Sequence, residues 1–369
     1  MSQDIREFLP SSFDVLALGE PTHLEPVFGR IRNDLLTHLV DQGVRSIAIE
    51  SDRIAALVVD DFVREGVGSL DEAMSAGFSH NLGTFDTYRQ LVAWLREYNQ
   101  SRPVAERVAF HGFDAPTENM SAPSPLAYLE KARDYLKLDH DLASLVGDDE
   151  RWSRTEAILD PAASPGATQD AEQLRAIGEE MLRQLDDAPA DTVEWRRARI
   201  HLTAGLGLLR YHKQSARPEE QAARIYRLLS LRDGLMAQNL IEIRQVEARR
   251  GRTVLFAHNT HLQKHYAAWR LGEMDLGWIG AGAIVAALWG DKYVFVAGSL
   301  GRSEHLGLGE PESDTHEGLL QKEFTTWGLT ATDVRSGRVR TDHDPRTGLI
   351  PLNPATLDGA DAILHIADA

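Results

Sequence analysis

Five short apolar runs constrain the fold of this chain more than any other feature. Each is four to six residues long and nearly uninterrupted in Val, Ile, Leu, Ala and Phe. Such runs are typical of parallel strands that helices cover on both faces, whereas half-exposed antiparallel strands alternate apolar and polar residues. The predicted strands are Phe13–Leu18, Arg45–Ile49, Arg107–Phe110, Thr253–Ala257 and Ala362–Ile366.

Helical periodicity between these runs indicates that helices connect the strands. From Phe28 to Gln42 the apolar residues recur at spacings of three and four, and Gly43 follows, as it does after many helices. This pattern predicts a βαβ unit. A second amphipathic segment, Tyr88–Tyr98, precedes the third predicted strand.

The middle of the chain has a different character. From about residue 121 to 250, long charged helical segments replace the apolar runs, and no strand pattern appears across them. We interpret residues 1–369 as one domain in which 121–250 is a helical insertion that forms part of a substrate cleft. Asp291–Ala297 is a sixth strand candidate, and Gly298–Gly348, rich in glycine and charge, is predicted to be loop. The predicted fold class is α/β, with a mostly parallel central sheet flanked by helices.

Composition narrows the possible partners. The chain has 39 Lys and Arg against 56 Asp and Glu, a formal charge of −17, whereas binding a phosphate backbone needs an excess of cations. With no cysteine, strong site chemistry is left to His, Asp and Glu. No apolar run reaches the roughly 18 residues of a membrane span, and no leader pattern is visible. We expect a cytoplasmic protein without nucleic-acid or membrane partners; the sequence specifies no oligomeric state.

Ionisable residues follow four of the predicted strands at the point where each strand ends. In open α/β sheets ligands bind at the carboxyl ends of the strands, so these side chains are expected to form one site. Strand ends are polar in many proteins because loops lie there, but here every end carries histidines or acids. The residues are Glu20, His23, Glu50, Asp52, His111, Asp114, His258 and His261.

Glu20 and His23 are the pair that best fits acid–base catalysis. A carboxylate beside an imidazole fixes its tautomer and raises its basicity. We therefore predict that His23 is a general base, that Glu20 is its partner, and that Glu50 holds the water or the ring. The alternative for Glu50 is a structural ion pair with a nearby arginine: Arg32, Arg45 or Arg53.

The histidines after the fourth predicted strand allow a second kind of site. His258, His261 and His265 have the spacing i, i+3, i+7, which on a helix places three imidazoles on one face, as a metal site requires. The segment also fits an ordinary helix start capped by Asn259 or Thr260. No H-E-x-x-H motif and no G-x-S-x-G nucleophile motif occurs. We expect no cofactor and no metal, with the histidine metal site as an alternative.

Six islands of sequence together carry a family resemblance. They are Leu18–His23 (LGEPTH), Ile47–Glu50 (IAIE), Gly112–Asp114 (GFD), Arg232–Asp233 with Met236 and Asn239, Ala257–His261 (AHNTH) and Asp361–Ile366 (DAILHI). They resemble the erythromycin esterase family across nearly the whole chain. The resemblance implies an α/β core with a large helical insertion, an active cleft at the strand ends, and hydrolysis of the lactone of macrolide antibiotics by a histidine-activated water without an obligatory metal.

The resemblance also implies roles for individual residues. His23 would be the general base with Glu20 as its partner, and Glu50 a second essential acid. His258 would act from the opposite side of the substrate, and Arg32 stands where the family tends to place a functional arginine. Either of these two would stabilise the oxyanion or protonate the leaving alcohol. The supporting positions are His261 and Asp114, with Asp52 added from the strand-end pattern.

One loop departs from the family pattern and leaves the substrate open. The family usually follows its first histidine with Gly, a small residue and an acid, whereas here Leu24–Val27 is bulkier and contains a proline. Such a loop narrows the space beside the base. The leading hypothesis is a carboxylic ester hydrolase acting on a macrolide-like or other natural product. The alternatives are a biosynthetic enzyme that dehydrates, cyclises or transfers acyl groups, a histidine-based metallohydrolase, and a non-catalytic ligand-binding protein.

Overall fold

The chain folds around a seven-stranded sheet in a computed structural model that describes residues 2–118, 120–187 and 192–369. Over these ranges the strands are β1 (Val15–Glu20), β2 (Val44–Asp52), β3 (Ala109–Asp114), β4 (Arg252–His258), β5 (Tyr266–Leu271), β6 (Met274–Ile279), β7 (Tyr293–Arg302), β8 (Trp327–Thr330) and β9 (Ala362–Asp368). The order in the large sheet is β3-β2-β4-β1-β7-β9-β8, and only β8 runs antiparallel to its neighbour. β5 and β6 form a separate hairpin.

Helices surround the sheet. In the described ranges they are α1 (Pro26–Leu39), α2 (Ala56–Glu65), α3 (Leu70–Ala76), α4 (Asp86–Gln100), α5 (Leu126–Leu136), α6 (Leu142–Val146), α7 (Asp149–Ser153), α8 (Thr155–Leu159), α9 (Gln169–Asp187), α10 (Val193–Ser215), α11 (Gln221–Glu247), α12 (Asn259–Leu262), α13 (Ala281–Trp289), α14 (His316–Gln321) and α15 (Pro354–Gly359). Among these described helices, none has both the length and the apolar character of a membrane span.

The prediction of a mostly parallel sheet covered on both faces is confirmed. All six predicted strands are present, and β1, β7 and most of β2 are buried. One face packs against α1, α2 and α4 and the other against α11 and α13. The main error lies at the strand ends, because β2 and β3 extend to Asp52 and Asp114, beyond the apolar runs.

The first crossover helix is confirmed, and it explains the loop that departs from the family. The Glu25 side chain accepts a hydrogen bond from the Val27 N–H, and Pro26 occupies the first helical position. The helix ends in a tight turn at Gly43, whose φ of 87° suits glycine. The residues after Leu24 are therefore the start of α1.

The predicted helical insertion corresponds to α5 through α11. α5, α6, α9 and α10 share an apolar core that includes Leu129, Leu174 and Leu202. α11 differs, because its second half packs on the sheet through Met236, Leu240 and Ile243. This helix therefore connects the insertion to the α/β core and carries side chains toward the strand ends.

The prediction that Gly298–Gly348 is loop is wrong in part. The segment contains the end of β7, the short helix α14 and the four-residue strand β8. β8 pairs with β9, and Thr315 caps α14 by accepting from the Gly318 N–H. Elements this short show no periodicity in sequence, because pairing and packing with distant strands stabilise them.

Candidate active site

The sheet register brings four strand ends together. Glu20 of β1 lies opposite His258 of β4, and Asp52 of β2 lies opposite Asp114 of β3. The carboxyl ends of four adjacent parallel strands therefore meet, as the sequence predicted. His111 is the exception, because it lies inside β3 and contacts Glu247 of α11 at 3.1 Å.

His23 is the exposed member of a carboxylate–histidine cluster. Its Nδ1 lies 2.7 Å from Glu20 Oε1, and its Nε2 lies 3.6 Å from Glu50 Oε2. The His23 side chain is 33% exposed, whereas those of Glu20 and Glu50 are 4% and 5% exposed. A small molecule can therefore reach the imidazole but not the carboxylates behind it.

The two carboxylates change the protonation of His23. Burial disfavours the charged ring, but Glu50 and Glu20 together raise the pKa of His23 to about 10. Burial raises the pKa of Glu20, against the opposing effect of its hydrogen bond to His23. At neutral pH the imidazole is therefore protonated, and it must lose this proton before it can act as a base.

Glu50 is held ionised by donors from three directions. Its Oε2 accepts from the His258 backbone N–H at 2.9 Å, and its Oε1 lies 3.1 Å from Arg232 Nη2 and 3.2 Å from His261 Nε2. Burial opposes ionisation, but His261 and His23 hold the pKa of Glu50 well below its usual value. The arginine partner of Glu50 is thus Arg232 of α11, which replaces the three arginines considered from the sequence.

Arg232 links Glu50 to a second buried acid. Its Nε donates to Asp114 Oδ1 at 3.0 Å, and His80 Nε2 lies 3.0 Å from Asp114 Oδ2. Against burial, Arg232 and His80 lower the pKa of Asp114 to about 2. Arg232 and His80 were not predicted to be site residues. Arg232 does fall in one of the six islands, but His80 lies in a loop at φ 54°, without a pattern that marks it.

His261 supports Glu50 from the other side. Its Nδ1 lies 2.9 Å from Asp233 Oδ1, and the Trp278 Nε1–H donates to Asp233 Oδ2 at 2.7 Å. Burial disfavours the charged ring, yet Asp233 and Glu50 raise the pKa of His261 to about 10. A positively charged, nearly inaccessible imidazole therefore anchors Glu50.

His258 lies beside His23 but has no ring nitrogen free for substrate. The two ring centroids are 5.9 Å apart. His258 Nε2 donates to the Pro21 carbonyl at 2.8 Å, so Nδ1 is the acceptor, and it receives the Thr260 N–H. Burial lowers the pKa of His258 to about 3, so the ring is neutral. These contacts position the turn that carries His23, and they do not support the predicted role of His258 as proton donor.

Arg32 also lies behind the reactive surface. Its guanidinium is 1% exposed and stacks on the rings of Tyr88 and Phe256 at 4.4 and 4.6 Å. Among its hydrogen bonds, the shortest goes to Asn33 Oδ1 at 2.9 Å. This placement does not support contact with a substrate oxyanion, because the stacked guanidinium is enclosed by the core.

Asp52 lies at the edge of the cluster. Its Oδ1 accepts from the Ile54 N–H at 2.7 Å, which orders the chain after β2. Burial raises the pKa of Asp52 to about 6. Asp52 therefore takes up a proton at higher pH than an exposed carboxylate does.

The three-histidine face considered as a metal site is not formed. α12 is only four residues long, His258 precedes it as the N-cap, and His265 is exposed beyond its end. The cap is thus the His258 ring, which corrects the expectation of Asn259 or Thr260. Within 2–118, 120–187 and 192–369, no group of three His, Asp or Glu side chains is arranged to hold a metal ion.

Two other residues of the sequence islands turn out to be structural. Asn259 donates to the Gly298 carbonyl at 2.8 Å and accepts from the Gly298 N–H at 2.9 Å, which ties the end of β4 to β7 across β1. Gly19 lies beneath this bridge, and a Cβ there would be 2.1 Å from Asn259 Oδ1. Glycine is needed at position 19 because the asparagine side chain fills the space.

We expect Gly19→Ala to lower the free energy of unfolding by about 1 to 3 kcal/mol, since an added methyl group must displace the Asn259 bridge. Urea denaturation measures this change. Gly309→Ala is the matched control, because a Cβ there meets no atom within 4 Å. Equal stability of the two variants would contradict the close approach at Gly19.

Comparison with known proteins supports the same family. A model of the erythromycin esterase family matches residues 40–358, so Glu20, His23 and Arg32 lie outside the matched range. A mutant of the erythromycin esterase EreC in its open conformation shares the fold, with 18% identity, a TM-score of 0.69, and coverage of 99% of this chain and 94% of that chain. A succinoglycan biosynthesis protein is similar, with 16% identity, a TM-score of 0.69, and coverage of 99% of this chain and 90% of that chain.

A further Bacillus cereus structure has 17% identity and a TM-score of 0.68, with coverage of 99% of this chain and 90% of that chain. No curated protein matches the chain. At these identities the solved structures show the shared fold, whereas the family model matches most of the sequence itself. The chain belongs to the erythromycin esterase family.

Proposed function

We propose that this protein hydrolyses a carboxylic ester or lactone of a macrolide-like or other natural product, without a metal ion, by water that His23 activates. The observation that carries the proposal is the position of His23. A partly exposed imidazole lies between two buried carboxylates at the carboxyl end of the sheet. Family membership supports ester hydrolysis as the reaction class.

The contacts of His23 support a general acid–base mechanism. Glu20 fixes the ring through Nδ1, which leaves Nε2 to take a proton from water. Nε2 lies 3.6 Å from Glu50 Oε2, which is longer than a hydrogen bond, so a water bound to Nε2 would lie beside the Glu50 carboxylate. Once formed, the imidazolium is stabilised by both carboxylates and returns its proton to the leaving alcohol. Glu50 is held ionised, so its role is electrostatic.

The helical insertion is proposed to cover part of the cleft. Tyr128 of α5 lies close enough to Asp52 for the carboxylate charge, after burial, to raise the pKa of the phenol. The Tyr128 ring also contacts His201 of α10, with 6.3 Å between the ring centroids. Tyr128, with His201 packed on its ring, therefore lies near the strand end at Asp52, where it would contact a bound substrate.

The pH dependence of activity follows from the raised pKa of His23. The base is active when neutral, so kcat/KM should rise with pH along a limb whose pKa lies above 6.5. Glu20→Gln removes a charge that favours the imidazolium, and we expect it to shift this limb toward lower pH. Rates measured from pH 6 to pH 10 test this. An unchanged limb in Glu20→Gln would contradict the assignment of the titration to His23.

A substrate screen with product masses tests the proposal itself. Macrolides and simpler lactones are incubated with the wild-type protein and with His23→Ala, in the presence and absence of a chelator. We expect a product that is heavier than the substrate by one water molecule. This product should form in the presence of the chelator and should be absent with His23→Ala. A product without that mass would instead support the second candidate, a biosynthetic dehydration, cyclisation or acyl transfer. That candidate is kept because one structure of this fold is named a succinoglycan biosynthesis protein.

A further inference from the structure

A large groove lies away from the His23 cluster. It has a volume of about 620 Å³ and is formed by the start of α10, the end of α11, α2 and the edge strand β3. Its size suits a small organic molecule. Among the described residues predicted at the strand ends, His111 lines it, whereas those given a catalytic or supporting role do not.

The floor of the groove is apolar. It includes Leu57, Trp195, Ile200, Ile243 and Val246. Val246 remains 37% exposed, although it lies among these apolar neighbours. Such a concave surface favours a ligand with an aromatic or branched hydrocarbon body.

The described lining of the groove is also rich in arginine, in contrast to the acidic composition of the whole chain. Of the eighteen described residues that line it, seven are arginines and three are carboxylates, in a chain of net charge −17. Two of these arginines, Arg197 and Arg199, pair with Asp61 and Asp186 beside the groove, so the excess of arginines over these five carboxylates is two. Concave sites lined by one sign of charge concentrate ions of the opposite sign. The lining therefore favours an anion.

Some of the arginine donors are unused. Glu242 and Glu247 are each paired at 2.6 Å, with Arg53 and Arg250 respectively. Arg64 has only a long contact of 3.4 Å to Asp60, and its Nε is buried without a hydrogen-bond partner. Arg249, in the described part of the chain, is in no ion pair or hydrogen bond. Charged donors thus remain for a ligand after the internal pairs are formed.

We propose that this groove binds an amphipathic organic anion. Its apolar body lies on Trp195, Ile200 and Val246, and its carboxylate, sulfonate or phosphate group is held by the arginines, among which Arg64 and Arg249 have unused donors. This binding does not depend on catalysis at His23, so the proposal holds whether or not the protein hydrolyses esters.

Calorimetric titration of the full chain at neutral pH tests the site with two probes of similar shape. Naphthalene-2-sulfonate carries the anion, whereas 2-naphthol is neutral. We expect the sulfonate to bind at least roughly tenfold more tightly, and its affinity to fall as NaCl is added, because salt screens the arginine charges. The double variant Arg64→Gln/Arg249→Gln should weaken sulfonate binding at least roughly tenfold. The control Arg183→Gln/Arg270→Gln removes the same charge from exposed positions and should bind as the wild type does.

A variant that keeps every charge distinguishes binding in the groove from attraction of the anion by the overall charge of the protein. Val246→Trp fills the apolar floor, and we expect it to abolish sulfonate binding while the far-ultraviolet circular dichroism stays unchanged. The proposal is overturned if the arginine double variant binds like its control, if the neutral probe binds equally well, or if Val246→Trp retains wild-type affinity. Loss of binding in both groove variants, with the control intact, supports it.

Discussion

Replacing His23 with alanine is expected to lower kcat on a confirmed ester substrate by about 10²- to 10⁴-fold, which is the contribution of a positioned general acid–base group. The loss should fall on kcat more than on KM, because the imidazole moves protons and adds little binding surface. The variant should still fold, since the His23 side chain is 33% exposed and carries no part of the apolar core, but removing the cation between Glu20 and Glu50 should lower the free energy of unfolding. Steady-state kinetics and a urea denaturation curve measure the two effects.

His265→Ala is the matched control for this experiment. His265 lies close in sequence to the cluster, but it is exposed beyond the end of α12. Its replacement should leave kcat within about twofold of wild type, a change of at most about 0.4 kcal/mol in the activation free energy. If His23→Ala keeps more than about a tenth of wild-type turnover, the assigned base is wrong. A large loss of kcat in His265→Ala would instead support the alternative of a histidine metal site.

Replacing Arg232 with methionine is expected to lower the free energy of unfolding by about 3 to 5 kcal/mol, the typical cost of breaking a buried ion pair by removing one partner. The change leaves two buried carboxylates without their shared cation. Asp114 is 0% exposed and Glu50 is 5% exposed at the side chain. The methionine side chain fills much of the volume of the arginine. The loss of stability therefore reflects missing charge and hydrogen bonds more than missing packing.

The pH dependence of this loss has a definite sign. Asp114 has its pKa lowered from 3.8 to about 2 in the folded protein, so its ion pair contributes stability above pH 3.8 and loses it as the pH falls toward 2. The difference in the free energy of unfolding between wild type and Arg232→Met should therefore become smaller as the pH falls from 3.8 toward 2. Arg183→Met, at an exposed ion pair with Glu180, is the control and should cost less than about 1 kcal/mol. Equal losses in the two variants would contradict the buried cluster.

Much of the fold could be predicted from local pattern. The apolar run that became β4 is buried by neighbours on both faces, and such burial requires an unbroken apolar sequence. The helix after β1 shows its buried face and its stop at Gly43 in sequence alone. β8 could not be predicted, because a four-residue edge strand depends on its partner β9. The ends of β2 and β3 were missed because ionised residues there are stabilised by side chains from distant segments.

Only those site residues that follow a predicted strand could be predicted from the sequence. Glu20, His23 and Glu50 each follow an apolar run, and parallel pairing brings them together. Arg232 lies within a long helix, where charged residues normally face solvent. Nothing in its local sequence shows that α11 crosses the sheet and carries the guanidinium to Glu50 and Asp114.

By itself the sequence determined the six parallel strands of the sheet and the gathering of acids and imidazoles at one edge. Burial of these strands on both faces requires apolar runs, and those runs are visible in the sequence. Only the tertiary structure decided which of those groups face a substrate. His258 and Arg32 were predicted to act on the substrate, yet the ring nitrogens of His258 and the guanidinium of Arg32 are directed into the protein by Pro21, Tyr88 and Phe256. Side-chain orientation and protonation depend on neighbours far along the chain, and those neighbours meet only when the protein has folded.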